Sequence, residues 1–214
     1  YIQYLKERKV PVAVTASTGI AATHMNGMTI HAWSGIGIRN NISPSDLAFM
    51  RTKKYLREKM EAAQVLIIDE ISMLHKTQIE MVNKVLKYFK DNNYAFGGIQ
   101  VVFSGDFFQL PPVGTMNENN REKFAFMSQA WLEAKLAICY LTEQHRQSDK
   151  NLNDILNDIR RLQVSAKSLE LLKIAKHNQF NKDWDPPILY SHNHDVNRTN
   201  NKCLSELTGK TTTF

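Results

Sequence analysis

Val101-Val102-Phe103-Ser104-Gly105-Asp106-Phe107-Phe108-Gln109-Leu110-Pro111-Pro112-Val113 is an apolar run closed by a glycine, then an acid and a glutamine in a proline-stiffened loop. A buried strand that delivers an acid and an amide at its carboxyl end is how a nucleotide motor senses its phosphate. Upstream, Val65-Leu66-Ile67-Ile68 is a continuous apolar run that delivers Asp69-Glu70 in the same manner. Two neighbouring buried strands with acids and amides at one edge describe a nucleoside-triphosphatase cleft in an α/β sheet.

Outward from these two runs, strand and helix signals alternate without repeats or low-complexity tracts, the pattern of a parallel sheet with helical crossovers. A first strand is expected over Val12 to Ala16, turned by Thr15-Ala16-Ser17-Thr18-Gly19 into a short helix through Ala22. Ser45 to Ala63 is basic and helical in character, without a strong apolar stripe. A helix over Thr77 to Phe89 places Ile79, Val82, Leu86 and Phe89 on one face. Asp91-Asn92-Asn93 and Gly97-Gly98 break the chain before a strand at Gln100 to Ser104. Ala137 to Leu141 reads as a fourth strand, and Leu152, Ile155, Leu156, Ile159 and Leu162 as one face of a helix. Pro186-Pro187 precedes a strand at Ile188 to Tyr190 and a helix through Leu207. A domain boundary falls between Leu141 and Asn151, giving domains at 1–145 and 146–214.

Composition sets the bounds. A chain of 214 residues, 43% hydrophobic, can bury one good core. The formal net charge of +6 favours a polyanionic partner but supports that reading only in company with other signals. Cys139 and Cys203 sit in apolar patterns without metal spacing, so buried free thiols in a reducing, intracellular compartment are expected. No apolar stretch is long enough to span a membrane, and no signal-peptide pattern opens the chain.

The chemistry follows from the residue types. In a phosphoryl-transfer site an acid at a strand end holds Mg²⁺ through its water shell, and an adjacent acid takes the proton of the attacking water. Asp69 suits the first role and Glu70 the second; a plain strand-end cap is the bland alternative. Gln109 can bond the terminal phosphate or the attacking water, with Pro111-Pro112 stiffening its loop. Arg146, in Gln144-His145-Arg146-Gln147, stands where an arginine at a domain junction can neutralise charge on the transferred group. His145 reads as structural, and Phe107 and Phe108 as core and interdomain packing.

Taken together, the strings TASTGIAA, TIHAWSGIG, IIDEISML, GDFFQLPPV and LTEQHRQ resemble successive motifs of the petite-integration-frequency (Pif) family of DNA helicases, relatives of RecD in superfamily one. The likeness runs from about Val12 to the end of the chain with the motifs in order. It implies a RecA-like P-loop NTPase fold with helices on both faces of the sheet, followed by the start of a second RecA-like domain. It implies ATP and Mg²⁺ as cofactors, with Asp69, Glu70, Gln109 and Arg146 at the nucleotide. Thr15, Ser17, Thr18, Gly19, Thr29 and His31 would lie against single-stranded DNA. A helix cap at Thr18-Gly19 and a buried histidine at His31 remain the alternatives. Residues 39–62, with the basic segment Arg51 to Lys59, fall where the family inserts a small wedge subdomain; a solvated helix face is the other reading.

The same resemblance implies a monomeric ATP-dependent helicase that moves 5′ to 3′ on single-stranded DNA and unwinds duplex or structured junctions. A nuclear, mitochondrial, bacterial or viral setting fits equally. The phosphate-binding loop is expected upstream of Tyr1 and further second-domain motifs after Phe214, so this stretch alone should not hydrolyse ATP. A catalytically inactive nucleic-acid-binding remnant is the rival reading. A metabolic P-loop kinase would not explain Gln109 together with Arg146. Thr208-Gly209-Lys210-Thr211 imitates a phosphate loop, but Leu204 replaces its first glycine and no strand leads in. His192-Asn193-His194 lacks a third ligand in register and reads as a strand-to-helix entry rather than a metal site.

Overall fold

Apolar runs separated by turn residues become short strands and the helices that cross over between them. The computed structural model describes residues 1–114, 118–119, 121–178 and 187–209, and divides into two units, Tyr1–Glu143 and Gln144–Phe214. In the first unit lie α1 (Ile2–Glu7), β1 (Val12–Ala16), α2 (Gly19–His24), β2 (Met28–Thr29), α3 (Ile30–Ser34), α4 (Pro44–Thr52) and α5 (Lys54–Ala62). These are followed by β3 (Val65–Asp69), α6 (Lys76–Phe89), β4 (Gln100–Phe103) and α7 (Gln129–Glu133). The second unit holds α8 (Lys150–Arg160), α9 (Ala166–Lys176) and α10 (Asn193–Glu206).

The four strands form one sheet in the order β2-β1-β3-β4, every neighbouring pair parallel. Parallel strands need crossovers and are covered on both faces. The period of two in β3 shows how: Leu66 and Ile68 join Ala13 in the main core, whereas Val65 and Ile67 pack with Leu5 of α1 in a smaller cluster on the other side. The largest contributor to the main core is α6, which buries Ile79, Met81, Val82, Val85, Leu86 and Phe89. Four of these are the positions that the sequence spacing places on one face.

Helices α4 and α5 are built into that core despite the weak apolar pattern of their sequence. Met50, Leu56 and Met60 are buried in it. Gly35 ends α3 at φ 73, and the Leu56 and Met50 side chains close over it; a Cβ there would lie 3.0 Å from Leu56. The basic residues serve the same packing. Arg51 makes a two-pronged bond to Asp91 at 3.0 and 2.7 Å, and Lys59 donates to the Ala32 carbonyl of α3. Arg51 and Lys59 thus tie the segment down, while Lys53, Lys54 and Arg57 face solvent.

Several expectations are corrected. Ala137–Leu141 is not a strand: it is irregular and exposed, and no described strand pairs with it. Ile188–Tyr190 is likewise without a ladder. Apolar, β-favouring residues make a strand only where a neighbour satisfies their backbone. Cys139 and Cys203 are free, as expected, but exposed rather than buried. Leu162, expected on the face of α8, lies beyond its end at φ 55. Pro186, Lys210 and Thr211 lie outside the described residues.

In the second unit, Asp149 caps α8 by accepting from the Asn151 and Leu152 amides. Asp158 near the end of α8 accepts from the Ser165 amide at 3.0 Å, the Ser165 hydroxyl at 2.6 Å and the Ser168 hydroxyl at 2.7 Å. Those bonds fasten the start of α9 to α8. Ser168 is the one buried residue among those described in this unit.

Candidate functional site

Because the sheet is parallel, the carboxyl ends of β1, β3 and β4 emerge at a single edge. Ala16 and Asp69 are register partners, as are Ile68 and Phe103. The ladder continues one step beyond the strands, with Ser17 N donating to the Asp69 carbonyl at 3.1 Å and Ser104 N to the Ile68 carbonyl at 3.0 Å. Ile71 N then donates to the Ser104 carbonyl at 2.9 Å. Ser17, Asp69-Glu70 and Ser104-Gly105-Asp106 are therefore held side by side.

Both acids are half-buried. Glu70 adopts φ 53, ψ 44, a left-handed turn that leads into a 3-10 turn at Ile71–Met73. That conformation costs a non-glycine residue about 1–2 kcal/mol, and strain of this kind collects at functional positions. Gly105 makes the crossing possible. A Cβ on it would stand 2.9 Å from the Ile71 amide and 3.0 Å from the Ile71 side chain, so the β4 exit lies directly against the turn after Glu70.

Gln109 reaches this edge through Asp106. The Asp106 carboxylate accepts from Phe108 N at 3.0 Å with one oxygen and from the Gln109 side-chain amide at 3.0 Å with the other. Its carbonyl accepts from Gln109 N at 3.0 Å. Phe107 anchors the loop from beneath, at ring distances of 5.8 Å from Phe124, 4.9 Å from Phe126 and 6.0 Å from Trp131. Phe108, expected to pack, is 79% exposed. Pro112 is buried and Pro111 exposed.

The residues expected along DNA divide. Thr15 is a correction: it is fully buried, and its hydroxyl donates to the Ile67 carbonyl at 2.7 Å, so it braces β1 against β3 and faces no ligand. Ser17 follows at the open edge, its hydroxyl oxygen buried without a protein partner among the described residues. Thr18 caps α2 by accepting from Ala21 N at 3.3 Å, and Thr29 caps α3 by accepting from Ala32 N at 3.2 Å. A capping hydroxyl accepts through a lone pair and keeps its hydrogen to donate. Gly19 is exposed, with open space where a side chain would stand. His31 is partly buried, and burial pushes its pKa down despite a side-chain hydrogen bond with Gln78. The ring is therefore neutral near pH 7, a polar contact rather than a cation.

Arg146 is exposed and belongs to the second unit, whereas the acids and Gln109 belong to the first. Neither His192 nor His194 belongs to a metal-binding group, and no cluster of three or more His, Cys, Asp or Glu exists among the described residues. Asp69 and Glu70 thus suit a hard cation that brings its own water and phosphate oxygens, as Mg²⁺ does, and not a metal caged by protein alone. Sequence reasoning used Asp106 only as the acid delivered beside Gln109 and Gly105 only as the close of a strand; it foresaw neither the Asp106–Gln109 bond nor the contact of Gly105 with Ile71. The i, i+3 spacing of Asp106 and Gln109 was a signal for the first; the second becomes visible only where two strands cross.

The PIF1-like helicase family profile matches residues 1–177. An ATP-dependent DNA helicase Pif1 of Psychrobacter sp. is 54% identical over the whole chain, which spans 33% of that protein. The Pif1 helicase of Candida albicans superposes with a TM-score of 0.84 at 34% identity, over 98% of this chain and 48% of that one. A Bacteroides Pif1 helicase in complex with ADP-AlF3 and ssDNA gives 0.80 at 31% identity, over 93% of this chain and 48% of its own. The chain therefore spans about a third of that Psychrobacter protein and about half of each of the two solved chains.

Proposed function

This chain belongs to the PIF1-like helicase family, and from that premise we propose that it forms the hydrolysis and DNA-contacting edge of an ATP-dependent helicase motor. The motor moves 5′ to 3′ along single-stranded DNA and opens duplex or structured junctions. The observation that carries the reading is the shared edge of β1, β3 and β4, where Ser17, Asp69-Glu70 and the Asp106-held Gln109 meet. ATP is the nucleotide class that suits it, and the relative solved with ADP-AlF3 and ssDNA supports both ligands.

Glu70 is the base that draws a proton from the attacking water. Asp69 would hold a hydrated Mg²⁺, which when bound would neutralise charge on the phosphate oxygens. Gln109 orients the water or the terminal phosphate, and its tie to Asp106 limits the positions its amide can sample. Arg146 supplies positive charge to the transferred group. Ser17, Thr18, Gly19, Thr29 and the neutral His31 offer hydroxyls, amide and ring to a DNA backbone, contacts that position a strand without reading its bases.

Glu70→Gln in the full-length protein tests the reading. It preserves size and removes the base, so ATP and DNA binding persist while hydrolysis falls by about 100-fold or more. Turnover within a few-fold of the unmodified protein would remove Glu70 from the mechanism.

A further inference from the structure

The Gln109 loop leaves the sheet at one end of the connection that carries Glu70, and the chain beyond it returns to the other end. At the start of the loop Gly105 lies against Ile71, the residue after Glu70. Beyond the loop Glu118 meets His75, which closes the same connection and caps α6. The ring of His75 is fully engaged. Its Nδ1 accepts from Thr77 N at 3.2 Å, which places the ring hydrogen on Nε2. Nε2 in turn lies 2.8 and 2.9 Å from the two carboxylate oxygens of Glu118, to which it donates. The two side chains are only 14% and 17% exposed, and a charge-assisted bond shielded from water is stronger than the same bond on the surface.

Geometry links this bond to the Gln109 loop by two routes. Gly114, next after Val113, rests on Glu118: a Cβ there would stand 3.1 Å from the carboxylate Oε2. On the other route, Phe124 forms an antiparallel bridge with His75, and Lys76 N donates to the Lys123 carbonyl at 2.9 Å. Phe124 then packs edge-on at 5.8 Å against Phe107, two residues before Gln109. A loop held at both of its ends samples fewer positions than one held at its root alone.

We infer that His75 and Glu118 are positioning residues for hydrolysis: their hydrogen bond holds the far end of the Gln109 loop on the connection that carries Glu70. The bond acts through the backbone and fixes where the glutamine amide stands relative to the base. This inference rests on the helicase reading above and adds to it two residues outside the nucleotide-binding set.

Two variants separate this role from the capping of α6. Glu118→Ala leaves the cap whole. His75→Asn keeps a cap-forming side chain that is shorter than the imidazole and does not reach Glu118. In the full-length protein with ATP, Mg²⁺ and saturating oligo-dT, each is expected to lower kcat about tenfold with KM little changed. Glu118→Gln keeps an acceptor at the same length and retains most of the rate. The deciding readout is a double-mutant cycle. Because the bond acts through Gln109, adding Glu118→Ala to Gln109→Ala should cost less than about twofold more. Thermal melting checks folding, and Glu118→Met, which keeps bulk without a carboxylate, serves should the alanine variant melt early. Unchanged kcat in the Glu118 and His75 variants while Gln109→Ala is slow overturns the inference alone, as does a full multiplicative loss in the double variant. Gln109→Ala at the unmodified rate removes Gln109 from the helicase reading, and the positioning role with it.

Discussion

Asp106 shows how a single side chain prepares a site without entering the chemistry. Its two carboxylate oxygens hold Phe108 N and the Gln109 amide, so the glutamine arrives already oriented. Asp106→Ala should leave nucleotide affinity nearly intact while hydrolysis falls by up to about 100-fold, the scale of a misplaced positioning group. Steady-state ATPase assays that separate kcat from KM give the check, and a change confined to KM would return Asp106 to a purely structural turn. Arg146→Lys belongs to the same scale. Lysine keeps the charge and loses the planar fork, so hydrolysis should drop more than ATP binding does. An unchanged rate would leave Arg146 on the surface. The DNA contacts proposed for Ser17, Thr18 and His31 differ from these in being neutral, so their combined replacement by Ala should weaken DNA binding while the salt slope stays the same. Titrations at several salt concentrations measure it, and an unweakened variant would place the DNA track elsewhere.

Among elements, α8 and α9 are joined through Asp158, with a more exposed Lys167–Asp154 ion pair at 3.1 Å beside it. Hydrogen bonds from the Ser165 hydroxyl, then the Ser168 hydroxyl and the Ser165 amide, hold the Asp158 pKa down to about 2. A carboxylate with a depressed folded pKa contributes stability that is complete above its unfolded value of about 4 and is lost as pH falls towards 2. Asp158→Ala should therefore lower the helical signal of the second unit at neutral pH, with the difference from the unmodified chain vanishing near pH 2. Circular dichroism across that range decides it, and a difference that persists at pH 2 would mean the helices are coupled by something else. The β4 exit is the corresponding point in the first unit. Gly105→Ala would press a methyl against the Ile71 amide, parting the Gln109 loop from the turn that carries Glu70.

For the whole molecule, burial is uneven. The first unit packs α3, α5 and α6 against the sheet around a continuous core, whereas the second exposes Leu156, Ile159, Leu169 and Ile174 and buries only Ser168 among its described residues. Buried apolar area is the main source of stability, at about 25 cal/mol per Å². Amide hydrogen exchange on this 214-residue chain should therefore find lasting protection in β1, β3 and α6 and little in residues 144–178 and 187–209. Equal protection of the two units would contradict the burial pattern.

Legibility in the sequence followed the range of the forces. The runs Val12–Ala16 and Val65–Asp69 and the helix Lys76–Phe89 were readable because alternation, continuous apolarity and a 3.6-residue period are local consequences of which face is buried. Asp69, Glu70 and Gln109 were legible as candidates because two apolar runs each end in polar groups, and the parallel sheet brings those two ends to one edge. Ala137–Leu141 misled for the converse reason: β-favouring composition is local, but a strand exists only where a neighbour completes its ladder. The core role of Met50, Leu56 and Met60, the inward turn of Thr15 and the contact between His75 and Glu118 were likewise decided only by the tertiary structure. Each depends on two segments far apart in the chain meeting within hydrogen-bonding or van der Waals distance, and no periodicity in either segment encodes that meeting.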